Sequence, residues 1–259
     1  MQLAKFILGM GAVLGIALPA PALAADSNSG LWVGDVVVER VNRPGPESAA
    51  WDTTTNVPAA NSFGYRVIIH VDTNGQARLL QRVLLAYTHN AVQVTNAITG
   101  QVTTNGAYRL LTDESIAATV RQSDPQAQVT RISSANFPLS SPQVLNGQFG
   151  GSHALNGTVT ISYDDPVNPF VHAYAPLHDN YRVQNTVKTK LPDGVESFTI
   201  VRNLVFQFAA QDPSNPANPK WGVDQNGGDF RETIEGLYRP VQVQGRFRLE
   251  RLTTIGQLD

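Results

Sequence analysis

The stretch Val241 to Leu252 reads VQVQGRFRLERL. Val241, Val243, Phe247 and Leu249 occupy one set of alternating positions, and Gln242, Gln244, Arg246, Arg248 and Glu250 the other. A period of two gives an extended chain one apolar and one polar face, which predicts a half-buried β-strand. Segments of the same kind recur along the chain. Tyr65–Val71, Ala77–Thr88, Val92–Ile98, Tyr108–Leu111, Gln128–Ser133, Thr158–Tyr163 and Phe198–Ala209 are all rich in β-branched, aromatic or alternating residues. Leu31–Val41 (LWVGDVVVERV) is apolar at both sets of positions, so a central strand covered on both faces is expected.

Turn chemistry separates these runs. Asp72-Thr73-Asn74-Gly75-Gln76 places Asn-Gly between two β-rich segments, a hairpin signal because both residues accept positive φ. His89-Asn90 and Thr99-Gly100 predict further turns. Pro44-Gly45-Pro46 with Asp52–Ser62, and later Gln211–Gly228, predict surface excursions. Thr112–Arg121 (TDESIAATVR) predicts the one short helix, with Thr112 or Asp113 as cap, acids in the first turn and Arg121 near the end. The class is therefore all-β: an antiparallel β-sandwich or barrel-like fold with one short helix.

The first and last strands share a pattern. Gly34-Asp35-Val36-Val37-Val38-Glu39-Arg40-Val41 can be laid on Gly245-Arg246-Phe247-Arg248-Leu249-Glu250-Arg251-Leu252, with Gly, Glu and Arg matching in identity. Either an internal duplication or two equivalent places in a sheet would produce it. The second is favoured, because nothing between the two segments repeats.

Lys5, the apolar run Phe6–Leu18, the breaks at Pro19 and Pro21, and Ala22-Leu23-Ala24 have the form of a secretory signal with an A-x-A cleavage site. Residues 1–24 are expected to be removed, leaving 25–259 as a single β domain. Removal of Lys5 takes the formal net charge from −2 to −3. The arginines are scattered singly, which argues against a nucleic-acid partner. No long apolar run follows the signal, so no membrane span is expected after cleavage. The chain has no cysteine, which excludes disulfides, thiol nucleophiles and cysteine–metal sites, so the core must hold the fold.

Chemistry concentrates in Asn156–Tyr181, NGTVTISYDDPVNPFVHAYAPLHDNY. His172, His178 and Asp179, with Asp164 or Asp165, offer nitrogen and oxygen ligands suited to zinc. Asp164, Asp165 and Asn168 alone offer an oxygen set suited to calcium. Asp-Pro and Asn-Pro also form turns in which Asx side chains cap loop amides, and that needs no metal. Asp224-Gln225-Asn226-Gly227-Gly228-Asp229 has calcium-loop composition without the closing glutamate, and a turn before Phe230 is the expectation there. Gly150-Gly151-Ser152-His153 lacks the nucleophile-elbow pattern and predicts a turn. Of the tryptophans, Trp32 is expected in the core. Trp51 and Trp221, on loops, are candidates for stacking on a ligand such as a sugar ring.

Gly30-Leu31-Trp32-Val33-Gly34, Arg131-Ile132-Ser133-Ser134-Ala135, Tyr163-Asp164-Asp165-Pro166 through Phe170, and Gly245 through Arg251 occur in this order. In this the chain resembles a β-rich module found within long exported or surface-associated bacterial proteins. The resemblance covers nearly all of residues 25–259 and implies a secreted β module, without implying an activity. The similar proteins carry a histidine at the position of Ala175 and an acid at that of Leu177, so a metal site there would lack a ligand in this chain. The expected function is an exported, non-catalytic β-sandwich module with a binding or structural role at the cell surface or outside the cell, its partner a protein or polysaccharide. The alternative is a metal-dependent hydrolase or calcium-stabilised module using residues 164–179.

Overall fold

The computed structural model describes residues 28–42, 56–95, 102–135, 137–139, 141–173, 195–237 and 240–259. The strands are β1 (Gly30–Asn42), β2 (Asn56–Val71), β3 (Ala77–Leu80), β4 (Arg82–Thr95), β5 (Val102–Leu111), β6 (Gln128–Ser133) and β7 (Gln143–Gly147). They continue with β8 (Ala154–Ile161), β9 (His172–Ala173), β10 (Val195–Glu196), β11 (Ile200–Phe208), β12 (Gln225–Glu235) and β13 (Val241–Thr253), and the helix α1 (Glu114–Ser123) lies between β5 and β6. The fold is all-β and antiparallel, and of sandwich and barrel it is the barrel. Eight strands close in the order β1-β13-β12-β11-β8-β7-β3-β2. Strands β4, β5 and β6 form a separate three-stranded sheet in the order β5-β4-β6, and β9 pairs with β10.

Alternation decides which side chains fill the barrel. In β11, Ile200, Arg202, Leu204, Phe206 and Phe208 are buried while the residues between them are not. Leu155, Val159 and Ile161 of β8 do the same, as do Val243, Phe247 and Leu249 of β13. Trp32 is fully buried in this core, donating from Nε1 to the Asn28 carbonyl at 2.8 Å. Interiors of eight-stranded barrels are just wide enough for side chains to fill. Between the upper parts of β2 and β8 the short strands β3 and β7 do not reach. There the Arg66 N–H donates to the Ala135 carbonyl at 2.9 Å, and Phe137 and Leu139 join the core.

A second core lies outside the barrel wall. Leu31 and Ile68 meet Leu80, Val83 and Leu110, with Ile255 and Leu258 packed against them. The stretch after β13 ties the two sheets together: Asp259 N–H donates to the Leu110 carbonyl at 2.8 Å, and Thr112 N–H to the Asp259 carbonyl at 2.9 Å. His70 is buried here, with Nε2 3.1 Å from the Ile255 carbonyl, and burial lowers its pKa. Leu84, Ala86 and Leu111 face the helix through Ala117.

Several expectations need correction. Leu31–Val41 is covered on both faces only at its start, at Leu31 and Trp32; further along, Val36 and Val38 are buried while Val37 is 43% exposed. Ala77–Thr88 is two strands, because the chain leaves the barrel at Gln81 and enters the second sheet. No turn stands at His89-Asn90: β4 runs on through an irregularity between Thr88 and Val92. From Asn56 the first excursion is strand, not loop. In the Asp224–Asp229 stretch the turn ends at Asp224; β12 starts at Gln225, and Asn226 is buried. The hairpin at Asp72–Gln76 forms as expected, with Gly75 at φ 83° and Asp72 Oδ1 accepting from the Asn74 and Gln76 amides at 2.9 Å. Asp113 caps the helix, accepting from Ser115 N at 2.7 Å.

The matching first and last strands are explained by their pairing. β1 and β13 are antiparallel neighbours, with Gly34 opposite Leu249 and Val38 opposite Gly245, so a local two-fold axis relates the matched segments. A Cβ on Gly34 would stand 1.8 Å from the Arg248 carbonyl oxygen, and one on Gly245 2.1 Å from that of Val37. Each strand needs glycine where the other's backbone closes in, which is the equivalent-place explanation in physical terms.

Candidate binding groove on the outer wall

Antiparallel connection puts the turn at Asp72–Gln76, the β7–β8 turn and the β11–β12 excursion at one end of the barrel. The excursion, residues 209–224, folds back over the outer face of β12 and β13. Asp212 organises it. Its side chain is 1% exposed. Oδ1 accepts from the Ser214 amide at 2.9 Å, and Oδ2 from Asn218 Nδ2 at 2.8 Å and Arg248 Nη2 at 2.9 Å. Asn218 Nδ2 also donates to Gln225 Oε1 at 2.9 Å, and Gln225 Nε2 donates to Glu250 Oε1 at 3.1 Å. Asp-Pro-Ser-Asn-Pro is Asx-turn chemistry, and here the carboxylate also recruits an arginine from the facing strand.

Trp221 closes the excursion onto the wall. Its Nε1 donates to the Ala209 carbonyl at 2.8 Å, and the Arg248 guanidinium carbon lies 5.5 Å from the ring centroid. A Cβ on Gly227 would come within 3.1 Å of the indole, so the bare backbone of β12 makes room for it. Trp221 is thus a staple as well as a surface group. Between it and β1 runs a groove of about 440 Å³, floored by Val33, Val37 and Leu252 and flanked by Arg66, Arg246 and Arg248. Val37 and Leu252 are 43% and 50% exposed. Each arginine has a carboxylate partner: Arg248 with Asp212 at 2.9 Å, Arg246 with Glu39 at 3.5 Å, Arg66 with Asp35 at 4.0 Å.

The Asn218 hydrogen bond first, then those from the Ser214 amide and Arg248, lower the Asp212 pKa from 3.8 to about 2, against the opposing effect of burial. A folded-state pKa below the unfolded value contributes stability that is complete above pH 3.8 and is lost as pH falls through about 2. Hydrogen-exchange protection of the 212–221 amides is therefore expected to hold on acidification to near pH 4 and then to decline. In Asp212→Asn it is expected to be low throughout. Equal protection in the two proteins across that range would show that Asp212 does not organise the excursion.

The other predicted residues are distributed as follows. Asp164 accepts from the Ser162 hydroxyl. Asp165 Oδ1 accepts from Val167 N at 2.9 Å, and Asn168 Nδ2 donates to the Ser162 and Phe198 carbonyls at 2.9 and 2.7 Å. These are turn-capping contacts of the Asp-Pro and Asn-Pro kind. The His172 backbone pairs with Glu196 in the two-stranded sheet of β9 and β10. The His172 side chain, His178, Asp179 and Trp51 lie outside the described residues. Among the described residues no three His, Asp or Glu side chains gather as a metal group, and no helix is long and apolar enough to cross a membrane. Sequence reasoning picked Trp221 but missed Asp212 and Arg248. Their pairing joins positions far apart in the chain, and only the Asp-Pro turn signal pointed to either. The chain matches no protein-family model, and no curated protein matches it.

Proposed function

We propose that the chain is an exported, non-catalytic β module that binds a protein or polysaccharide at the cell surface or outside the cell. The observation that carries this is the groove, whose volume of about 440 Å³ falls within the range of ligand sites and whose wall is held in place by Asp212, Arg248 and Trp221. A preformed site loses little conformational entropy when it is occupied. Export is supported by the charged start, apolar run and A-x-A site of residues 1–24.

The alternative, a metal-dependent hydrolase or calcium-stabilised module on residues 164–179, has the weaker support. Asp164 and Asp165 accept hydrogen bonds from within their own turn. The purified chain is expected to melt at the same temperature before and after chelation and with calcium or zinc restored. A bound ion at a hundredfold its Kd would stabilise by about 2.7 kcal/mol, so a reversible loss of that order on chelation would favour the metal reading instead. The binding proposal itself is tested by co-sedimentation with bacterial envelope fragments. Saturable retention without release of soluble products is expected; no retention on any fraction would sink it.

A further inference from the structure

We infer that the groove beside Trp221 takes a neutral polysaccharide chain, an assignment that rests on the binding-module proposal and narrows it to one ligand class. The charge pattern is the first reason. Arg66, Arg246 and Arg248 lie close to Asp35, Glu39 and Asp212 respectively, so the groove presents no surplus positive charge to a polyanion. An acidic polymer would meet a carboxylate beside each guanidinium and so gain no net attraction from the groove.

The second reason is the mixture on the surface. Exposed aliphatic groups, Val37 and Leu252, line the groove together with arginine and carboxylate side chains and the indole of Trp221. A sugar ring has the complementary character, with C–H faces that pack on apolar and aromatic groups and hydroxyls that both donate and accept. The half-exposed Arg66 and Asp35 offer donors and acceptors side by side for such hydroxyls.

The third reason is topological. Strands β1 and β13, which floor the groove, are each paired on both sides within the closed barrel. No free edge is available here for an added peptide strand, so recognition must run through side chains.

The test is affinity gel electrophoresis of the intact chain in gels containing neutral polysaccharides (a β-glucan, a mannan, a galactan) or acidic ones (alginate, pectate). It is run at low and high salt, with Trp221→Ala and Val37→Glu alongside. Val37→Glu alters an exposed position on the groove floor and is expected to leave the melting temperature unchanged, so it does not share the folding risk of Trp221→Ala. Retardation by at least one neutral polymer, insensitive to salt and weakened about tenfold or more by both substitutions, is the expected result. Retardation by acidic polymers alone, lost at high salt, would overturn the neutral-chain assignment and leave the binding module standing. Neutral binding undiminished in both variants would move the site elsewhere. If no polysaccharide retards the chain but envelope fragments retain it until treated with protease, the partner is a protein and this inference fails. Absence of envelope retention would remove the parent proposal as well.

Discussion

Glu232→Ala is expected to destabilise the protein by about 3–5 kcal/mol, because it leaves a guanidinium inside the barrel without its counter-charge. Arg202 of β11 and Glu232 of β12 both point into the barrel, their side chains 8% and 2% exposed, and Arg202 Nε donates to Glu232 Oε1. Phe137 lies against the other side of the guanidinium, with its centroid 4.1 Å from Cζ. The Tyr65 hydroxyl donates to Glu232 Oε2 at 3.3 Å. Burial, and after it the Glu232 carboxylate, push the Tyr65 phenol far above its usual pKa, so it stays a donor. For a domain of this size each kcal/mol corresponds to about 2–4 °C, so the melting temperature should fall by roughly 6–20 °C. The double replacement Arg202→Met with Glu232→Leu should recover part of the loss: apolar residues of similar volume carry no desolvation cost, while the Tyr65 hydroxyl is still left without its acceptor. Thermal melts of the three proteins decide it: if the single variant melts no lower than the double, the pair is not buried as described.

Phe206→Ala is the second large effect, expected at about 3–5 kcal/mol. Phe206 is fully buried in the middle of β11. Its ring meets Phe230 at 5.1 Å and stands edge-on to Phe247 at 5.3 Å and 88°. These aromatic neighbours lie on β12 and β13, so the cavity would open where three strands share one layer of core. Val144→Thr, at a position 49% exposed, serves as the control and should stay within about 0.5 kcal/mol. Urea unfolding of the two variants measures the difference directly; similar midpoints would mean that the barrel interior is loosely packed at Phe206.

The strongest sequence signals were local ones. The hairpin at Asp72–Gln76 and the helix capped by Asp113 depend on side chains bonding amides a few residues away, and both formed as read. The readings that failed involved a change of partner. Ala77–Thr88 looks like one strand because both sides of Gln81 have strand composition, yet β3 pairs in the barrel and β4 in the other sheet. The start of β12 has the composition of a turn, because glycine, asparagine and aspartate usually mark one. Here a Cβ on Gly227 would stand 2.4 Å from the Phe247 carbonyl oxygen, and one on Gly228 2.0 Å from that of Gln207.

The sequence by itself determined that this protein is built of antiparallel strands with one face turned inward, because a period of two leaves an extended chain no other way to bury Val243, Phe247 and Leu249 together. Only the tertiary structure decided between sandwich and barrel, since both impose the same alternation. Closure lies in the pairing of β1 with β13, from opposite ends of the chain. For the same reason only the folded chain shows that Arg202 is neutralised by Glu232, and that Asp212, Arg248 and Trp221 together build one wall of a groove. Contacts between residues remote in sequence leave no local pattern, because their energy exists only once the strands that carry them are side by side.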